Sequence, residues 1–248
     1  FVPEPITTPG PITHQLPTWA SGAILASGEI SRKTVTSMTS TALRRVLVCR
    51  CGCLAVGLAV AAEELGADGA YFRVHHFARQ LGSPFPLLAA CGARTKKIEI
   101  GTAVIDMRYE NPLYMAEDAG AADLIARGRL QLGISRGSPE QVIDGWRYFG
   151  YAPAEGEDEH AFARRHASVF LQMLEGHGFA EPNPRPMFPN PPGLLRLEPY
   201  SAGLRDRIWW GAASNATAEW AATKYAIKME IHLVSILFHS ELGHILRV

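Results

Sequence analysis

The chain has 248 residues, 47% hydrophobic and 19% charged, and its 24 basic and 24 acidic side chains cancel. That size suits one large domain or two small ones, and the composition is that of an ordinary globular α/β protein. No basic excess points to nucleic acid or an anionic membrane, and no apolar run approaches the roughly 18 residues of a membrane span.

The chain opens on Phe rather than Met, and no basic-then-apolar signal layout follows. A cytoplasmic chain, processed or partial at its start, is expected. Cys49, Cys51 and Cys53 are spaced by one residue rather than the two usual for zinc, and Cys91 stands alone. A reduced chain without a metal site is the plainer expectation.

Residues 1–45 are rich in Pro, Thr and Ser and carry no period, so they read as a poorly patterned N-terminal segment. Residues 46–248 read as a single domain. Leu43 to Val60 is apolar and suits either a strand or the front half of a helix that runs on into AAEELG, with Gly66 in the C′ position. ADGAYFRV predicts a strand, with His75 and His76 following its end. Ser83-Pro84 reads as the N-cap and first residue of a helix, PFPLLAACGARTKK. Ile98 to Val104 predicts a buried strand. Asn111-Pro112 opens a helix that runs to about Gly128, and Arg129 to Ile134 forms the next strand. A further helix follows the acidic stretch at Glu155–Glu159. Residues 178–203 hold many prolines and read as a loop or lid. Asp206 to Gly211 suggests a strand and AASNATAEWAATKYA a turn entering a helix; Ile231 to Phe238 suits one more strand. Strands recurring about every 30 residues with helices between imply parallel pairing and right-handed crossovers. An open doubly wound sheet and a (β/α)8 barrel both satisfy that alternation, although no G-x-G-x-x-G follows any strand.

Three spots carry chemistry-bearing residues at strand ends or helix starts. His75 and His76 can give or take protons beside a ligand, or can form a hydrogen-bonded structural pair. Gly133-Ile134-Ser135-Arg136-Gly137 matches the G-x-S-x-G nucleophile elbow, which needs the strand to turn straight into a helix, with His232, His239 or His244 as partners. The same residues also suit a close backbone approach to a ligand with Arg136 on an anion, or a tight strand exit. Ser214-Asn215-Ala216-Thr217 suits a phosphate site at a helix start or a simple N-cap.

Four blocks of the chain together resemble the bacterial luciferase-like monooxygenase family. They are AAEELGADGAYFRVHHF, SPFPLLAACGARTKKIEIGTAV, NPLYMAEDAGAADLIARGRLQLGISRG and DRIWWGAASNATAEWAA, in the family's order, over roughly residues 58–226. The resemblance implies a (β/α)8 barrel that uses reduced FMN, or a deazaflavin, to oxidise a small organic substrate with O₂. It implies that His75 is the active-site histidine beside the flavin, with His76 next to it. Ala103-Val104 falls where members have a non-proline cis peptide under the flavin ring. Ser135 matches a small residue near the flavin, and Arg136, Ser214 and Thr217 match phosphate ligands. A homodimer, and a flavin reductase that supplies reduced flavin, are implied partners. Val74 stands in place of an acidic residue, residues 1–57 show no first strand of the usual kind, and the match fades after about Ile227. An incomplete (β/α)8 barrel with divergent N- and C-terminal ends is therefore expected. A non-catalytic partial-barrel flavin-binding protein is the first alternative, and a serine hydrolase using Ser135 the second.

Overall fold

The central parallel strands are buried on both faces of the sheet. The computed structural model describes residues 35–39, 42–49, 55–79, 81–137, 141–212 and 215–225. These hold one six-stranded sheet in which spatial order follows sequence order: β1 (Val35–Thr39), β2 (Ala42–Cys49), β3 (Gly69–Phe72), β4 (Glu99–Asp106), β5 (Leu130–Ser135) and β6 (Ile208–Trp210). β1 pairs antiparallel with β2, and every later pair is parallel. Between and after the strands run α1 (Ala55–Glu64), α2 (Phe85–Arg94), α3 (Pro112–Ile125), α4 (Glu159–Met173) and α5 (Asn215–Tyr225).

All five helices pack on one face of the sheet. Their buried side chains join Phe72, Ile98, Ile100, Ile105, Leu132, Ile134, Ile208 and Trp210 in one core. Tyr71, Trp209, Ala103 and Val104 cluster apart from it, on the opposite face. Doubly wound sheets reverse their strand order and carry helices on both faces. Sequential order with helices on one face is the geometry of a (β/α) barrel, so the barrel alternative is the one that folds. Among the described residues the sheet stays open, an incomplete barrel as expected.

Several local expectations need correcting. The stretch from Leu43 to Val60 is both strand and helix: it contributes β2 and then α1. A first strand therefore exists, preceded by an antiparallel partner that the apolar pattern did not reveal. β3 ends at Phe72, and Val74 makes only an isolated bridge to Leu81. Ser83 does not cap α2; Pro84 stands at the cap with no side-chain bond. Residues 204–207 form a 3₁₀ turn, so β6 starts only at Ile208. Asn111 does cap α3 through Oδ1, which accepts from the amides of Leu113 at 3.0 Å and Tyr114 at 3.1 Å. The proline-rich run is a loop, as read. The suggested strand at 231–238, and Cys51 and Cys53, lie outside the described residues; Cys91 is a buried free thiol in α2.

The N-terminal ends of the strands are tied by charged side chains. Asp123 of α3 is fully buried; it accepts from the Leu130 amide at 3.0 Å, the Ser201 hydroxyl at 2.6 Å and Arg207 at 2.5 Å. Arg129 donates to the carbonyls of Gly92, Thr95 and Ile98 and so closes the end of α2. Glu63 accepts from three successive amides, Lys96 to Ile98, just before β4. Burial raises its pKa, but those amides together hold it below the ordinary value. This end is therefore satisfied structurally, which leaves chemistry to the other end.

Candidate active site at the strand C-terminal ends

The inner face of the sheet is thin where β4, β5 and β6 end. Along β5, Leu132 and Ile134 face the helices, so Gly133 and Ser135 face inward; along β6, Trp209 faces inward and Gly211 follows on the same side. A register shift between Thr102 and Ile105 lets both Ala103 and Val104 face inward together. The peptide between them is cis. A methyl group added at Gly211 would lie 3.2 Å from Val104 Cγ1 and 3.6 Å from Ser135 Cβ. Val104, Ser135 and Gly211, at the ends of three adjacent strands, thus meet in one small floor, on the face of the sheet that also carries Tyr71 and Trp209.

The histidine pair follows β3, the strand next to β4. The His75 amide donates to the Leu81 carbonyl at 3.0 Å. Arg73 Nη2 lies 2.9 Å from His75 Nε2. A guanidinium can only donate, so Nε2 is the accepting nitrogen in this arrangement. His76 stacks on Tyr109 with ring centroids 4.4 Å apart and takes the edge of Phe149 at 4.9 Å. Its Nε2 is buried without a hydrogen bond, 3.8 Å from Glu110 Oε1. Phe77 and Tyr148 extend this aromatic wall outward into solvent.

At the end of β5, Ser135 is buried, and its Oγ accepts from the Gly137 amide at 3.0 Å. The first helical turn described after it is the 3₁₀ segment Gly145–Phe149. The hydrolase reading needs a strand that turns directly into an α-helix, which these residues do not show, and its candidate histidines lie outside the described residues. Arg136 is half-buried, and its Nη1 rests against the His160 ring, 2.6 Å from Nδ1. Thr217 is buried in the first turn of α5. Ser214 lies outside the described residues.

Sequence reasoning missed four participants. Arg73 precedes the histidines without having been singled out. His160 lies at the start of the helix that follows the acidic stretch. Asp106 ends β4 and pairs with buried Arg108 just after it, with Arg108 Nη2 2.7 Å from Asp106 Oδ2; only their place at the end of a buried strand could have marked them.

A cavity of about 440 Å³ opens at the opposite ends of the strands, lined by Glu63, Asp68, Lys97 and Glu99 among others. Its carboxylates do not suit an anionic ligand, and it shares no residue with the floor just described.

The family profile described as luciferase-like monooxygenase matches residues 54–230. The chain belongs to the luciferase-like monooxygenase family. A curated relative, the alkanal monooxygenase alpha chain of the Kryptophanaron alfredi symbiont, is 29% identical over 173 residues, which are 68% of this chain and 45% of that one. Two solved structures share the fold at 19% identity. One is a type II Baeyer–Villiger monooxygenase, the oxygenating constituent of 3,6-diketocamphane monooxygenase of Pseudomonas putida in complex with FMN. It has a TM-score of 0.56 over 71% of this chain and 51% of that one. The other is the coenzyme F420 dependent tetrahydromethanopterin reductase of Methanopyrus kandleri, with a TM-score of 0.53 over 71% and 52%. The luciferase-like chain spans about half the length of these relatives.

Proposed function

We propose that the protein is a flavin-dependent monooxygenase that oxidises a small organic substrate with O₂ and reduced FMN, with a deazaflavin as the alternative cofactor. The observation that carries this reading is the floor formed by Val104, Ser135 and Gly211. The His75–His76 pair follows β3, the neighbour of β4 in the sheet, and Arg136 directly follows Ser135. The residues present fit a flavin. A floor of small side chains suits a flat apolar ring, and Arg136, with the Thr217 hydroxyl in the first turn of α5, suits its phosphate. Ser214 belongs to that phosphate set by the family resemblance.

When bound, the flavin supplies the electrons and the oxygen chemistry. The chain's own side chains bind, orient and shield. Arg136 provides directed N–H donors for an anion. His75 Nε2 takes or returns a proton once Arg73 swings away from it. Tyr109 and Phe149 cover the ring of His76 and keep water from that side.

The protein is further proposed to work as a single domain, which the pairing of β1 with β2 extends ahead of residue 46, in the cytoplasm, as a homodimer supplied by a flavin reductase. Among the described residues no helix is long and apolar enough to cross a membrane. The dimer reading rests on α3, where Tyr114 is 70% exposed and Ile125 47%, eleven residues apart and therefore on one helix face.

Fluorescence quenching of FMN and of deazaflavin by the purified protein tests the assignment, followed by O₂ consumption with photoreduced flavin. Failure to bind either flavin sinks it. Tight binding with no acceleration of O₂ consumption by any small aldehyde or ketone favours the non-catalytic partial barrel.

A further inference from the structure

Behind Arg136 lies a buried ionic cluster that the flavin reading leaves unused. Asp106 is 5% exposed and Arg108 7%. Arg108 presents one edge of its guanidinium to Asp106, with Nε 3.0 Å from Oδ1 and Nη2 2.7 Å from Oδ2. Its Nη1 reaches Glu159 Oε2, at the start of α4, at 2.6 Å. Its face lies 4.5 Å from the Trp146 ring. Burial lowers the pKa of Arg108, but the two carboxylates outweigh burial and hold it above the ordinary value. Burying such charges is costly, and an apolar cluster would stabilise the fold as well or better. The cluster therefore calls for another role.

Its position supplies one. Gly137, the residue after Arg136, has φ of +87°, and a methyl group there would lie 2.0 Å from Asp106 Oδ2 and 2.3 Å from Arg108 Nη2. The ion pair thus presses on the backbone next to Arg136. At its other end Arg108 holds Glu159, whose neighbour His160 lies against the Arg136 guanidinium. We propose that Arg108 is a positioning residue, which braces Arg136 from its backbone and from α4 so that its guanidinium is held ready for the phosphate of the ligand. The inference rests on the flavin reading for the ligand's identity, and on the geometry alone for the brace. An Arg side chain is long and costly to order, so fixing it beforehand strengthens anion binding without adding a contact. A Lys at 108 keeps the charge but lacks the fork that spans Asp106 and Glu159.

Glu159→Ala is the gentle test, because the Glu159 side chain is 47% exposed. Arg108→Lys is the second variant and Arg136→Ala the reference. Each is titrated with FMN and with riboflavin by fluorescence quenching. Inorganic phosphate is titrated by NMR of the Arg136 Nε–H, the resonance missing from Arg136→Ala. In Glu159→Ala and Arg108→Lys, affinity for FMN and for phosphate should fall about tenfold, the scale of one charge-assisted hydrogen bond, with riboflavin binding unchanged. Equal weakening of riboflavin, or wild-type affinity for FMN and phosphate in both variants, overturns the brace and leaves the flavin reading intact. Wild-type protein that binds phosphate but no flavin overturns the flavin reading, and the phosphate titration then decides the brace alone. Wild-type protein that binds neither overturns both.

Discussion

His75 is held by an interaction that its proposed role must break. Its Nε2 accepts from Arg73 at 2.9 Å, so the accepting nitrogen is occupied until a ligand displaces the guanidinium. His75→Asn keeps a polar group of similar size but removes the ring's ability to carry a proton. O₂-dependent turnover should fall about 10²- to 10⁴-fold, the usual scale of general acid–base catalysis. FMN binding measured by quenching should stay within about threefold of wild type, because the phosphate is held two strands away. A parallel loss of binding would make His75 a ligand contact rather than a proton carrier. Asp123 gives the opposite case, a residue whose whole effect is on stability. It is fully buried and holds Leu130, Ser201 and Arg207 together. Asp123→Ala leaves the Leu130 amide and the part-buried Arg207 guanidinium without their carboxylate, and should cost about 2–4 kcal/mol in urea unfolding. FMN affinity of the remaining folded protein should not change, since Asp123 lies at the far ends of the strands.

At the scale of elements, α4 carries the pH dependence. His166 packs edge-on to Phe162 at 4.5 Å, and its Nδ1 donates to the carbonyls of Glu110 at 2.8 Å and Met107 at 3.0 Å. Burial pushes its pKa below the ordinary histidine value, against the pull of those carbonyls. Above about pH 6.5 the ring is neutral in both folded and unfolded chains and costs nothing. As pH falls below that, the unfolded chain takes up the proton first, and stability drops until the folded value is passed, by at most about 1.4 kcal/mol per pH unit. Glu157 is held at about 2, chiefly by its hydrogen bond with Arg165, and stays ionised over this range. Urea midpoints at pH 7.5 and pH 5 should therefore differ in wild type and converge in His166→Asn. Elements were also the scale at which the sequence was most legible. α3 and β5 could be read because an Asn-Pro start and a run of alternating apolar residues fix them locally. β1 and the 3₁₀ turn at 204–207 could not, since pairing and packing decide them rather than local pattern. The site was legible only in part for a related reason. His75 and Arg136 sit at strand ends, which chain order reveals. Arg73, Arg108 and His160 reach the same place through side-chain geometry, which it does not.

For the molecule as a whole, the proposed homodimer puts α3 at the contact between copies. Tyr114 and Ile125 are exposed apolar side chains on one helix face, with exposed Asp118 and half-buried Ala121 between them. Tyr114→Glu puts a charge into that face and should convert a dimer to a monomer in size exclusion with light scattering. Flavin affinity should stay unchanged, because the face points away from the sheet. A wild-type chain that elutes as a monomer at micromolar concentration would remove the dimer reading.

The two flanks of the sheet are unequal. β2 is already paired along its outer side with β1 in the antiparallel sense. β6 is three residues long, and among the described residues no strand pairs with its outer side. A strand added along Ile208–Trp210 would lie directly beside Gly211. If the proposed flavin lies on the floor beside Gly211, a strand or peptide that docks on β6 and touches it would raise flavin affinity, and bound flavin would raise the affinity of that strand by the same factor. Flavin fluorescence would then gauge how far the sheet has been extended.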